Sequence, residues 1–351
     1  MFRILSIDGG GLRGIIPIKI LKHVEYLTQK PIYNCFDMFA GTSTGGLISV
    51  GLTVSDNGIS PRHDLSVLEN IYMDKGNEIF PTPTFFHRWW RKQLLSYPFS
   101  PQFETNGLQK ILEGLLFPVE NNGETPRILD CCKPIFVPAY DLESNSPIFF
   151  KRRYAENDIN RNVKLIDVCK ATSAAPTFFP SYTFPYNFKV NNKMYNQATA
   201  IDGGVFMNNP ALGALIELLK NKEHYYKRGQ LKDEDIFILS LGTGHFTENM
   251  ADKSASYGKL NWIKLITDIM MWGNSQAIDY NLTESLKFNS SSKLNYLRVN
   301  VEIKEKRYND MANYDPKCIE HYLECVENDF TYNAAMQNSI DTFISDAKLY
   351  E

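Results

Sequence analysis

Residues 39–50 read FAGTSTGGLISV. An apolar run, CFDMFAG, enters a small polar knot at 41–46, and a second apolar run, LISVGLTV, leaves it. Within the knot, Gly41-Thr42-Ser43-Thr44-Gly45 fits G-x-S-x-G. That pattern marks a sharp strand-to-helix turn that holds a serine strained and exposed as a nucleophile. Glycines two residues either side remove the β-carbons that would collide where strand and helix pack closely. A helix that starts at the serine directs free N–H groups and the positive end of its dipole at the serine oxygen. The expectation is a buried strand over the first run, a nucleophile at Ser43 and a helix over the second run. The five residues alone equally fit an ordinary glycine-rich turn, so their surroundings have to decide.

Upstream, FRILSID carries four large apolar residues and then meets Gly9-Gly10-Gly11. From Ile15 to Leu27 the apolar positions Ile15, Ile16, Ile20, Leu21, Val24 and Leu27 fall at helical spacing. Strand, glycine loop and helix therefore alternate, which predicts an α/β fold with a central, mainly parallel sheet flanked by helices. Downstream, PIFVPAYDL, PIFFKRRY, DIFILSLG and LNYLRVNV read as strands, and LIDVCKATSAA and ALGALIELLK as helices. Longer helical patterns run around Trp262–Tyr280 and Pro316–Leu349. Between Ser60 and Leu116 the alternation fades around FPTPTFFHRWWRKQLLSYPFSP, a stretch read as a cap or insertion on the sheet. The chain is expected to form one domain over 1–351, with 60–116 as the cap and 250–351 as its helical C-terminal part.

Composition narrows the function classes. The 351 residues are 43% hydrophobic and 22% charged with a net charge of −3, so a large core is available and no basic surface for polymeric nucleic acid is indicated. The six cysteines form no C-x-x-C pair, which excludes the common zinc and redox motifs and reads as reduced thiols. MFRILSIDGG lacks the plan of a signal peptide, and no run of eighteen apolar residues occurs. A cytoplasmic protein with no metal and no cofactor is the expectation.

A nucleophilic serine needs a base and a site for the oxyanion. Gly9-Gly10-Gly11 can present backbone N–H groups unobstructed by side chains, and Arg13 adds a positive charge nearby. The same residues fit G-x-G-x-x-G through Gly14, a dinucleotide fingerprint, but the second strand then ends in the serine turn rather than in a ribose-binding acid. Of the six histidines only His245, in LSLGTGHF, sits in a turn that suggests catalysis. Asp202, in AIDGGVFMNNPA, has the same grammar as Ser43: a polar residue at the end of an apolar run, held by glycines. It can act as the base, or simply form the turn with its carboxylate.

Taken together, DGGGLRG, GTSTGG and the DGG at 202–204, with ATSAAPTFFP, GGVFMNNPA and LSLGTG in that order, resemble the patatin-like phospholipases from residue 3 to about 245. The resemblance implies a three-layer α/β fold and a Ser–Asp dyad without histidine. Ser43 matches the nucleophile, Asp202 the base, and Gly9, Gly10, Gly11 and Arg13 the oxyanion hole. It implies a phospholipase A type acyl hydrolase acting through an acyl-enzyme at a membrane surface. Some short bacterial members are defence effectors switched on by cyclic oligonucleotides, which adds a cyclic di- or trinucleotide activator and antiviral defence to the expectations; a homo-oligomer is a further expectation, from the apolar helix at 261–273. Two other readings stand beside it: an α/β-hydrolase with Ser43, Asp202 and His245, and a non-catalytic lipid- or nucleotide-binding module. Against the former, only two strands precede Ser43, and LNYLRVNV follows His245. For peripheral membrane contact the sequence offers FFHRWWRKQLL at 85–95 and NWIKLITDIMMWG at 261–273, each of which can instead pack internally.

Overall fold

The computed structural model describes residues 1–80, 101–116, 125–226, 235–247, 251, 258–288, 294–312 and 314–351. The aromatic and basic stretch at 85–95 lies outside them. Strands β1 (Phe2–Ile7), β2 (Met38–Gly41), β3 (Ile135–Asp141), β4 (Ser146–Lys151), β5 (Tyr182–Val190), β6 (Lys193–Asp202), β7 (Ile236–Leu241) and β8 (Asn295–Val299) form one mixed sheet. Its order is β5-β6-β3-β2-β1-β7-β8, with β4 paired to β3. The β3-β2-β1-β7-β8 portion is parallel throughout, as alternating strands and crossover helices require.

The two-residue period of the strands sorts their side chains into two cores. Leu5, Ile7, Phe39, Phe237, Leu239 and Leu241 join one apolar cluster. Phe2, Ile4, Met38, Ala40, Ile236 and Ile238 join the other. With both faces apolar, helices must cover both, and the result is three layers. The first cluster takes α1 (Ile15–Thr28), α2 (Thr44–Gly51), α3 (Leu65–Asp74), α4 (Asn106–Leu116) and α5 (Leu165–Thr172). The second takes α6 (Ala211–Lys220) and Leu282 of α7 (Lys259–Phe288). The C-terminal α8 (Pro316–Val326) and α9 (Ala334–Asp346) return to the first cluster through Ile319, Tyr322, Ile340 and Ile344. The helical pattern expected around Pro316–Leu349 is two helices. A π turn at Glu327–Thr331 separates them, and Asn333 caps the second by accepting the Met336 N–H. The described parts of 60–116, α3 and α4, bury Leu68, Tyr72, Leu108 and Leu112 in the same core as α1.

The sheet also decides where Ser43 and Asp202 go. β4 occupies one edge of β3 along its whole length. β2 and β6 therefore share the other edge. β2 pairs in parallel with Ile135 and Phe136 and stops; β6 arrives antiparallel opposite Asp141 and ends with Asp202 opposite Ala139. The two strands meet end to end across Val137 and Pro138. A residue's N–H and C=O leave a strand on the same side, so Pro138, whose carbonyl accepts from Thr172 Oγ1 on the β2/β6 side, faces the gap with its missing N–H. No strand is there to need that donor, which is why proline is tolerated in an interior strand.

Beyond β2 the chain turns so tightly that a β-carbon on Gly41 would lie 2.0 Å from the carbonyl oxygen of Gly45. We predict that Gly41→Ala lowers the unfolding free energy by about 3 kcal/mol or more in urea titration. A loss within 1 kcal/mol would mean that the turn is looser than described.

Candidate active site

Ser43 is the N-cap of α2 and carries φ 53° and ψ −122°, a conformation rare outside glycine. Two contacts hold it there. Its N–H donates to Thr172 Oγ1 at 3.0 Å, and that hydroxyl donates onward to the Pro138 carbonyl at 2.7 Å. Thr42 Oγ1 donates to the Met207 carbonyl at 2.7 Å, tying the turn to the segment after Asp202. The serine is only 8% exposed. It lines a cleft rather than standing open to solvent, as the turn pattern alone would have had it.

Asp202 is buried at the end of β6. Its Oδ1 accepts the Gly204 N–H at 2.7 Å, while Oδ2 has no donor in hydrogen-bond geometry among the described residues. Burial pushes its carboxyl up to about 7; proximity to the Ser43 hydroxyl and the Gly204 amide pull in the opposite direction without cancelling it. Ser43 and Asp202 thus stand close to one another.

The glycine loop after β1 lies against the serine: a β-carbon on Gly9 would stand 3.2 Å from Ser43 Cβ. The Gly9 N–H itself is taken by the Asn208 carbonyl at 3.2 Å, and the Leu12 N–H by the Met311 carbonyl at 2.9 Å. Among the described residues the Gly10 and Gly11 amides meet no acceptor. Gly11 lines the cleft with Ser43. The Arg13 side chain does not join them. It is buried and donates to Asn309 Oδ1 at 3.0 Å, and burial lowers its pKa against the pull of Tyr322, Asp268 and Asp310. His245 stands apart as well. Its ring stacks on Trp272 at 4.6 Å, with Asn300 Nδ2 3.4 Å from Nδ1, and burial lowers its pKa despite Glu302.

The cleft walls are apolar: Leu47, Ile79, Leu108, Phe178 and Met311 line it, with Phe80 and Phe179 5.7 Å apart and each within 6 Å of Phe103 behind them. Tyr72 closes the wall beside Thr44 through a hydroxyl contact. The sequence reading missed Thr172 and Asn208 as site residues, although both fall in stretches it had set apart, ATSAAPTFFP and GGVFMNNPA. Arg298, which pairs with Asp8 at the base of the glycine loop at 2.6 Å, carried no local signal at all.

The match to known proteins agrees with this arrangement. The profile described as Patatin-like phospholipase matches residues 5–215, from the first strand through the Asp202 segment. The chain belongs to the patatin-like phospholipase family. Patatin-like protein 1 of Arabidopsis thaliana is 32% identical over 97% of this chain and 83% of its own. Patatin-like protein 3 of the same plant is 31% identical over 84% and 73%. Patatin-08 of Solanum tuberosum is 29% identical over 85% and 76%. The solved structure of VipD from Legionella pneumophila aligns with TM-score 0.39 at 12% identity over 98% of this chain and 67% of that one, a likeness too distant to inform the site. Patatins are lipid acyl hydrolases, and this chain is a serine hydrolase of that class.

The raised Asp202 pKa makes two signs testable. If Asp202 serves as a base it acts ionised, and kcat/KM is then expected to rise with pH and level off above about 7. A carboxyl whose folded pKa exceeds its unfolded value of about 4 lowers stability as pH rises between the two values. Asp202→Asn is therefore expected to raise Tm relative to wild type at pH 8, with the difference vanishing below pH 4. Equal Tm differences at both pH values would contradict the assignment. Thr172→Val removes the acceptor of the Ser43 N–H, and we expect it to cost about 1–3 kcal/mol in urea titration and to lower kcat; Thr172→Ser should restore most of both.

Proposed function

We propose that the chain is a phospholipase A type acyl hydrolase that cleaves acyl esters of membrane phospholipids through a Ser43–Asp202 dyad. The observation that carries the reading is the strained Ser43 lining an apolar cleft, close to Asp202, whose buried Oδ2 has no donor among the described residues. The cleft takes the fatty acyl chain and places its ester carbonyl at Ser43. Asp202 accepts the Ser43 proton as Oγ attacks the carbonyl carbon. The amides of Gly10 and Gly11 donate to the developing oxyanion, favoured by the absence of competing acceptors around them. Asp202 returns the proton to the leaving lysophospholipid oxygen, and an acyl-enzyme remains on Ser43. Water then releases the fatty acid. Arg13, expected from the resemblance to serve the oxyanion, is better suited to anchoring the loop to Asn309.

No described helix is long and apolar enough to cross a membrane; in this reading substrate is met at a lipid surface. The part of the 261–273 stretch whose side chains are described supports this: Trp262, Ile266, Ile269 and Met270 of α7 are 39–50% exposed. Activation by a cyclic di- or trinucleotide, with a place in antiviral defence, rests on the resemblance alone. A panel of such nucleotides should then raise vesicle hydrolysis, and an unchanged rate removes that part.

Fatty-acid release from phospholipid vesicles is expected to fall by on the order of a thousandfold or more in Ser43→Ala and Asp202→Ala. His245→Ala should stay within about threefold of wild type, since its ring is engaged by Trp272. Loss in all three variants would favour a histidine triad. Equal release by wild type and Ser43→Ala would point to a binding module.

A further inference from the structure

Asn208 stands where the three catalytic loops meet. Its carbonyl accepts the Gly9 N–H, its own N–H donates to Asn274 Oδ1 at 2.9 Å, and its side chain is more than nine-tenths buried. The orientation of its side-chain amide follows from a chain of forced donors and acceptors. Arg298 donates to both oxygens of the buried Asp8, at 2.8 and 2.6 Å. Asp8 Oδ2 also accepts the Ser275 hydroxyl at 2.9 Å. Ser275 has then given its only proton to Asp8 and can only accept, which it does from Asn208 Nδ2 at 3.0 Å. The nitrogen is fixed toward α7, so Oδ1 is fixed toward the nucleophile.

That oxygen is buried and has no donor among the described residues. It lies 2.5 Å from the point a Gly9 β-carbon would occupy, a point 3.2 Å from Ser43 Cβ. It also lies 3.1 Å from the corresponding point on Gly204, which is 3.1 Å from Asp202 Oδ1. Asn208 and Asp202 thus both reach the same point over Gly204, and each carries one buried oxygen, Asn208 Oδ1 and Asp202 Oδ2, that lacks a donor among the described residues. A buried acceptor left unmatched is costly, and a molecule with two hydrogens matches both.

We propose that Asn208 holds the water that hydrolyses the acyl-enzyme, an inference that rests on the Ser43–Asp202 reading. The water gives one hydrogen to Asn208 Oδ1 and the other to Asp202 Oδ2, leaving a lone pair directed at the acyl carbonyl. As the new O–C bond forms, the proton shared with Asp202 passes to it. The bond from the carbonyl carbon to Ser43 Oγ breaks, Oγ takes that proton back, and the fatty acid leaves. An alcohol in the same place has one hydroxyl hydrogen, which Asp202 needs. The acylation step, with its alcohol leaving group, and acyl transfer to an added alcohol therefore gain nothing from Asn208. Its role is selective for water.

The experiment follows a p-nitrophenyl ester through its pre-steady-state burst and, separately, the ratio of methyl ester to free acid formed in dilute methanol. In Asn208→Ala the burst rate should stay within about threefold of wild type, while deacylation by water falls on the order of tenfold to a hundredfold. The methyl ester to acid ratio should rise on the order of tenfold. Ser275→Ala frees the amide to turn, and should shift both readouts the same way by less; it carries the test should Asn208→Ala not fold. Burst and deacylation falling together at an unchanged methanol ratio would make Asn208 structural and overturn the proposal, as would no change in either. Full activity in Ser43→Ala would instead overturn the dyad beneath it.

Discussion

Two strands that stop on the same edge of β3 set everything else in this molecule. β2 comes up that edge from one direction and β6 from the other, and the gap between them spans only Val137 and Pro138. The chain must leave each strand end at once, and it does so in turns built around Ser43 and Asp202. A serine from position 43 and an acid from position 202 therefore meet through sheet register, not through a flexible loop. Pro138 is the hinge of the arrangement. It withholds a donor where no strand can use one, and offers a carbonyl to the Thr172 hydroxyl that fixes the Ser43 backbone. Gly203 completes the fit, since a β-carbon there would lie 2.4 Å from the same carbonyl.

This geometry carries two costs that the surroundings offset. Ser43 is held in a strained conformation, stabilised by the N–H bond to Thr172 and by the start of α2. Asp202 is buried with no cationic partner among the described residues, and burial pushes its carboxyl up to about 7. A buried ion pair supports the glycine loop. Arg298 and Asp8 pair beneath the glycine loop, so β8 and α7, late in the chain, brace a loop that precedes residue 12. Buried pairs of this kind specify geometry more than they add stability.

Much of this was legible in the sequence because it is local. The strand, glycine loop and helix at the start, the serine turn, and α6 over ALGALIELLK appear where periodicity put them. The β5–β6 hairpin was not read, although its signal was present. Tyr182, Thr183, Phe184, Pro185, Tyr186, Asn187 and Phe188 place aromatics at every second position, and Asn191-Asn192 supply the two positive-φ residues of a tight hairpin turn. Proline and polar residues between the aromatics obscured it. At the site, Ser43 and Asp202 announced themselves through flanking glycines. Arg13 shows the limit of that reasoning, since a charge near a glycine loop in sequence says nothing about which way its side chain turns. Thr172, Asn208, Ser275 and Arg298 act through partners 34 or more residues away, except that Asn208 also lies beside the Asp202 turn. No single-sequence pattern marks such contacts.

The central claim is that Ser43 is the atom that carries the acyl group. Its most direct test is a long-chain alkyl fluorophosphonate, followed by proteolysis and mass mapping of the adduct, with and without phospholipid vesicles. The account predicts one adduct, on the peptide containing Ser43, formed more slowly when vesicles compete. An adduct on another residue, or an active enzyme that takes no label, would contradict it.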